Sequence, residues 1–211
     1  MAQRGYRTGI LDLTQGEMGT RGTADDRARE AAEAARILQA SWRAALDIPD
    51  GRVENTWDNR LKVARVIRET RPRVLILPYW KGRHPDHYTA SILGYEACFL
   101  AGLGKLDLGA APHRPFKIIY ATLYYDVRPT FIVDISDQFE TRFQSLMAYK
   151  SQYQDQAAGS ELFPAQAEIR ARVEAMARHY GLLAGVTYGE PFLQKEIGLV
   201  EDLTLIPVAS I

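Results

Sequence analysis

The chain has 211 residues, 46% of them hydrophobic and 25% charged, which is the size and composition of one ordinary globular domain with a full core. Its 26 basic and 26 acidic residues cancel, so no net field draws it onto nucleic acid or an anionic membrane, and a small neutral ligand suits it better. Its one cysteine, Cys98, sits inside the apolar run from Ile92 to Leu100, which excludes an intrachain disulfide and reads as a buried thiol in a reducing compartment. The N-terminus has no apolar stretch of the secretory kind, and no run reaches the ~18 apolar residues of a membrane span, so the expectation is a soluble, cytoplasmic protein.

Strands alternate with helices along the chain. Thr8 to Leu13 is a short apolar run that ends in the polar, Gly-rich stretch Thr14 to Gly22, as a buried strand feeding a loop does. Thr23 and Asp26 form a capping-box pair, with Ala28, Ala31, Ala32, Ala35 and Leu38 at helical spacing behind it. Leu61, Ala64, Val66 and Ile67 mark a second helix, closed by Arg71-Pro72 before the strand Val74 to Tyr79. That strand is apolar at every position, which suits the middle of a parallel sheet covered on both faces. Ile118 to Tyr124 and Thr130 to Ile135 read as further strands, the second leading into a helix capped by Ser136. The last long helix is expected to stop near Gly181, and the polar residues 153–163 to form an exposed loop. The pattern predicts a doubly wound α/β fold.

In such sheets the ligand site lies beyond the carboxyl ends of the strands, so the loops there carry the chemistry. The first, Thr14 to Thr23, offers glycine turns with Glu17 and Arg21; it lacks a Walker-type Lys-Ser/Thr and the G-x-G-x-x-G spacing, which disfavours nucleotide binding. The second, Trp80-Lys81-Gly82-Arg83-His84-Pro85-Asp86-His87, holds two of the chain's four histidines. Imidazole is both the commonest neutral metal ligand and the side chain best poised for proton transfer near neutral pH. Asp86 is within local reach of either ring, where a carboxylate could fix a tautomer. A catalytic zinc takes three protein ligands, however, and this loop cannot wrap a metal unaided. His113, in a proline-bounded loop, and His179, near a helix C-terminus, suit positioning and dipole roles.

Together, Leu11 to Thr23, Pro78-Tyr79-Trp80, His84-Pro85-Asp86-His87, Pro112 to Pro115 and Tyr188-Gly189-Glu190-Pro191-Phe192 resemble the LmbE-like (PIG-L) zinc-dependent N-acetylglucosaminyl deacetylases, in particular the bacillithiol-biosynthesis branch. The motifs run in the right order over nearly the whole chain. The resemblance implies a Rossmann-like α/β fold, mostly parallel with helices on both faces, as one deacetylase domain over residues 1–211. It implies that His87 is a zinc ligand, that His84 stabilises the oxyanion or protonates the leaving amine with Asp86 orienting it, and that Glu17, Arg83 and Arg27, with Arg21 as the alternative, contact the sugar. It implies an N-acetyl-sugar substrate and a homo-oligomer, a hexamer in that family. Members of the family also carry an N-terminal strand and an Ala-His-Pro-Asp-Asp loop with two zinc ligands and the general base. The expectation is that this segment, roughly 25–30 residues or most of a βαβ unit, precedes Met1, which leaves the activity of the 211 residues by themselves open. The alternative is a non-catalytic sugar-binding or assembly protein of the same fold.

Overall fold

The computed structural model describes residues 1–122, 125–153 and 166–208. In chain order the elements are β1 (Gly9–Asp12), α1 (Ala24–Ile37), β2 (Trp42–Ala45), α2 (Trp57–Thr70), β3 (Val74–Pro78), α3 (Pro85–Ala101), β4 (Lys117–Ala121), β5 (Phe131–Asp134), α4 (Phe139–Met147), α5 (Lys150–Tyr153), α6 (Gln166–Ala184) and β6 (Gly189–Leu193). The strands form two sheets: β1 pairs in parallel with β2, and a second sheet runs in the order β3-β4-β6-β5. There β3 and β4 are parallel, while β6 runs antiparallel to both β4 and β5. The α/β fold is as expected from the sequence, with parallel βα units followed by an antiparallel insertion.

Local chemistry explains the main boundaries. The Asp26 backbone N–H donates to Thr23 Oγ1 at 3.1 Å and the Thr23 N–H to Asp26 Oδ2 at 2.9 Å, so the expected capping box satisfies two orphan donors of α1. Thr56 caps α2 in the same way through Asn59 N–H, and Arg71 ends it in the left-handed conformation just before Pro72. Helix α3 lies close on β3 because Gly94 has no side chain: a Cβ there would meet Leu77 Cδ2 at 2.4 Å. One core gathers Ile48, Val53, Ile67, Leu93, Ala97 and Cys98, joined by Leu11, Leu75 and Ile118 from three strands. A second lies around Phe139, Ile169, Val173 and Ala177, where the Phe139 and Tyr188 rings stack at 4.1 Å.

Several sequence expectations need correction. Strand β3 is not a covered centre strand among the described residues: there it pairs with β4 alone, and Val74 and Ile76 are exposed. Ser136 does not cap α4; its hydroxyl donates to Asp134 Oδ1 at 2.6 Å and its backbone N–H bonds the same oxygen, in a 3-10 turn that precedes the helix. Helix α6 passes through Gly181 and runs to Ala184, with Gly185 in the left-handed region after it. Gly181 serves a close approach instead, since a Cβ there would lie 2.6 Å from Val186 O. Strands β2 and β6 are not among the expected ones. The stretch 153–163 and the end of Ile118 to Tyr124 lie largely outside the described residues.

Candidate active site

Strands β1, β2 and β3 each release a loop toward one shared region. Backbone N–H groups of the loop after β2 donate to Asp86: Gly51 to Oδ2 at 2.8 Å and Val53 to Oδ1 at 3.2 Å. On its other side this loop meets the Gly-rich one. Asp50 N–H donates to Glu17 Oε1 at 2.8 Å, while the Asp50 carboxylate accepts from Met18 N–H at 3.1 Å and Thr14 Oγ1 at 3.3 Å. The two loops singled out in the sequence therefore meet through a third. Asp50, which sequence reading passed over, is the residue that joins them; its signal was the turn-forming run Pro49-Asp50-Gly51.

His84 stands at the N-cap of α3, and its Nδ1 accepts the Asp86 backbone N–H at 3.2 Å. A ring whose Nδ1 accepts carries its proton, when neutral, on Nε2. His87 follows one turn later, its ring stacked on that of His84 with centroids 5.0 Å apart. Burial, and secondarily the neighbouring His84, hold the His87 imidazole below its ordinary pKa, with Asp86 pulling the other way; a neutral ring is the form that can ligate a metal. Asp86 itself corrects the sequence reading. Its side chain is buried and occupied by Gly51 and Val53, and it is the Asp86 amide that engages His84.

Around this pair the other expected residues are placed unevenly. Glu17 is exposed, and the Asp50 N–H holds its carboxylate below the usual range. The Arg27 side chain lies against Gly16, with its guanidinium 5.3 Å from the Tyr149 ring centroid. Arg83 is exposed immediately before His84. The start of this loop is held by aromatic rings: Tyr79 packs on Trp80 and Tyr125, and Trp80 meets Tyr120 edge-on at 4.7 Å. His113 has the positioning role expected, its Nε2 2.8 Å from Pro72 O. Cys98 is buried, and burial pushes its thiol up to about 12.

Two imidazoles do not complete a catalytic zinc site, which takes three protein ligands and one open position. Asp86 is committed to backbone donors, and no group of three or more histidine, cysteine, aspartate or glutamate side chains among the described residues is arranged to hold a metal. The described residues therefore do not by themselves fit the zinc that the resemblance implies. What they offer is an Nε2–H donor at His84 beside a neutral imidazole at His87, at the N-terminus of a long helix where developing negative charge is favoured.

A parallel-strand α/β fold with a His-Pro-Asp-His helix start at the strand ends defines a class that known proteins share. Residues 1–98 match the family described as PIG-L, GlcNAc-PI de-N-acetylase. A diacetylchitobiose deacetylase from Thermococcus kodakarensis is 31% identical over 191 residues, covering 86% of this chain and 67% of that protein. The chain belongs to the PIG-L family. Among solved structures, the conserved protein TT1542 from Thermus thermophilus superposes with a TM-score of 0.85 at 37% identity, covering 95% of this chain and 87% of that one. The N,N'-diacetylchitobiose deacetylase from Pyrococcus horikoshii follows with a TM-score of 0.78 at 26% identity, covering 90% and 73%. No described helix is long and apolar enough to cross a membrane.

Proposed function

We propose that this chain is a metal-dependent hydrolase that removes the acetyl group from an N-acetylglucosaminyl conjugate, of the bacillithiol-precursor type. The observation that carries the reading is the meeting of the three strand-end loops at His84 and His87, in a chain whose curated relative acts, by its name, on diacetylchitobiose. His84, with its proton on Nε2, is suited to donate to the oxyanion of an amide under attack and then to the departing amine. Glu17, Arg83 and Arg27 are proposed to contact the sugar. Zinc is the proposed metal, with His87 its ligand from the described residues. A bound zinc would supply Lewis acidity and an activated water.

The test is acetate release from N-acetylglucosaminyl malate and from diacetylchitobiose, with zinc content measured in parallel, for the 211 residues and for a version carrying the family's N-terminal segment. Activity and zinc are expected together in the longer form. There His87→Ala should lose both, and His84→Ala should keep zinc and lose about 10²–10³ in rate, as for one oxyanion donor. Metal lost with His84→Ala and kept with His87→Ala would reverse the two roles. Tight binding of either sugar with no acetate released by either form would favour the non-catalytic sugar-binding reading.

A further inference from the structure

Tyr149, in the turn between α4 and α5, has two arginines on its ring, and they are used differently. Arg43 is committed. It forks onto Asp12 from Nε at 2.6 Å and from Nη2 at 2.8 Å, Nη1 donates to Ala31 O at 2.9 Å, and Nη2 also donates to the Tyr149 hydroxyl at 2.7 Å. Arg27 approaches the same ring with its guanidinium carbon 5.3 Å from the centroid. It also lies against the Gly-rich loop, so closely that a Cβ at Gly16 would stand 3.1 Å from Arg27 Nε. Among the described residues no acceptor engages this guanidinium. A cation–π contact holds the group by its face and leaves the in-plane N–H donors open, so Arg27 is placed without being consumed. The turn that carries the ring is fastened in its own right. Ser151 Oγ donates to Glu30 Oε2 on α1 at 2.8 Å, and Gln152 Nε2 to Arg21 O in the Gly-rich loop at 2.7 Å, across 121 and 131 positions of chain. Gly22 admits this contact by lacking a side chain, since a Cβ there would meet Ser151 Oγ at 2.6 Å.

We propose that Tyr149 is a positioning residue for sugar binding: its ring holds the Arg27 guanidinium beside Gly16 with its in-plane donors open to a hydroxyl or carbonyl of an N-acetyl sugar. The inference rests on the reading that Arg27 contacts the sugar, and it names the residue that acts through it. The chemistry of the holder matters. A carboxylate in place of the ring would also fix Arg27, but by taking the N–H groups that a ligand needs. An aliphatic side chain would leave the guanidinium free to sample other rotamers, and ordering it at the moment of binding would then cost affinity. Asp12 offsets the charge of Arg43, so the second cation on the ring ties the tyrosine down through its hydroxyl without an uncompensated charge facing Arg27.

Titration calorimetry of the 211-residue chain with diacetylchitobiose and with N-acetylglucosaminyl malate tests it, with far-UV circular dichroism confirming that each variant is folded. Tyr149→Met fills the space without an aromatic face, and it should weaken binding about three- to tenfold, the range of one cation–π contact. Tyr149→Phe keeps the face and loses only the hydroxyl, so it should bind within about twofold of the unaltered chain. Arg27→Met should weaken binding at least as much as Tyr149→Met. The double variant should then be no weaker than Arg27→Met alone, because the ring acts through that guanidinium; a merely structural role would give losses that add. A Tyr149→Met variant that binds normally, losses that add, or a Tyr149→Phe variant as weak as Tyr149→Met would each overturn the positioning role and leave the deacetylase reading in place. An unaltered chain that binds neither sugar would instead sink that reading, and this role with it.

Discussion

Both oxygens of Asp86 accept backbone N–H groups from the segment after β2, so this carboxylate holds the loop in place. Its neighbour His84 is exposed and is hydrogen-bonded within its own helix start, by the Asp86 N–H. The consequence for stability is unequal. Asp86→Ala would strand the buried Val53 N–H and the part-buried Gly51 N–H and should cost about 1–3 kcal/mol in urea unfolding. His84→Ala should stay within about 0.5–1 kcal/mol, the cost of a weak cap at an exposed position. Equal losses would return Asp86 to the ring-orienting role that the spacing suggested. That role was a fair reading of His-x-x-His with an aspartate between, because local reach is visible in a sequence. The competing donors are more than thirty residues away in the chain, and no spacing rule reaches that far.

At the level of elements, α2 and α3 are joined by a buried arginine. The Arg68 guanidinium donates from Nε to Ala101 O at 2.9 Å, from Nη1 to Leu106 O at 2.8 Å and Ala110 O at 3.0 Å, and from Nη2 to Leu103 O at 2.7 Å. It thereby satisfies carbonyls at the end of α3 and in the turn beyond, which helix geometry leaves without partners. Arg68→Met should cost about 3 kcal/mol or more in denaturant midpoint terms. Arg68→Lys should recover less than half of that, since one ammonium cannot reproduce the planar fork. A neutral Met variant would mean that water replaces the guanidinium. In the sequence Arg68 reads as one more charge on an amphipathic helix, and nothing marks it as buried. The elements that were legible are those with local signatures: the Thr23 box, the Arg71-Pro72 stop and the apolar run of β3. The short strand β2, Trp42-Arg43-Ala44-Ala45, has no apolar alternation to reveal it. It exists because it pairs with β1 and because Arg43 forks onto Asp12 at 2.6 and 2.8 Å. Strand β6 contains Pro191, which argues against a strand by local rules, yet β6 lies between β4 and β5.

Among the described residues the division into two sheets sets the order of stability. The pair β1-β2 is a two-stranded sheet, a unit that is marginal without packing support, and no residue of either strand is buried. Its attachments are partly buried Leu11 against the main core, the Arg43–Asp12 pair, and loop contacts through Asp50 and Asp86. The four-stranded sheet instead contains fully buried Tyr120 and lies against α3. Local opening should therefore begin at β1-β2 and leave β3-β4 closed. Native-state amide exchange measures this directly. Amides of residues 9–12 and 42–45 are expected to exchange at least about tenfold faster than those of 75–78 and 118–121, with a free-energy gap that persists in low denaturant. The site loops belong to both halves, since Glu17 follows β1 while His84 follows β3, so opening of the weaker sheet would carry Glu17 and Asp50 away from Asp86 and leave the histidine pair seated on α3. Equal protection in both sheets, converging on the global unfolding free energy, would show that loop stitching alone makes the two sheets one cooperative unit.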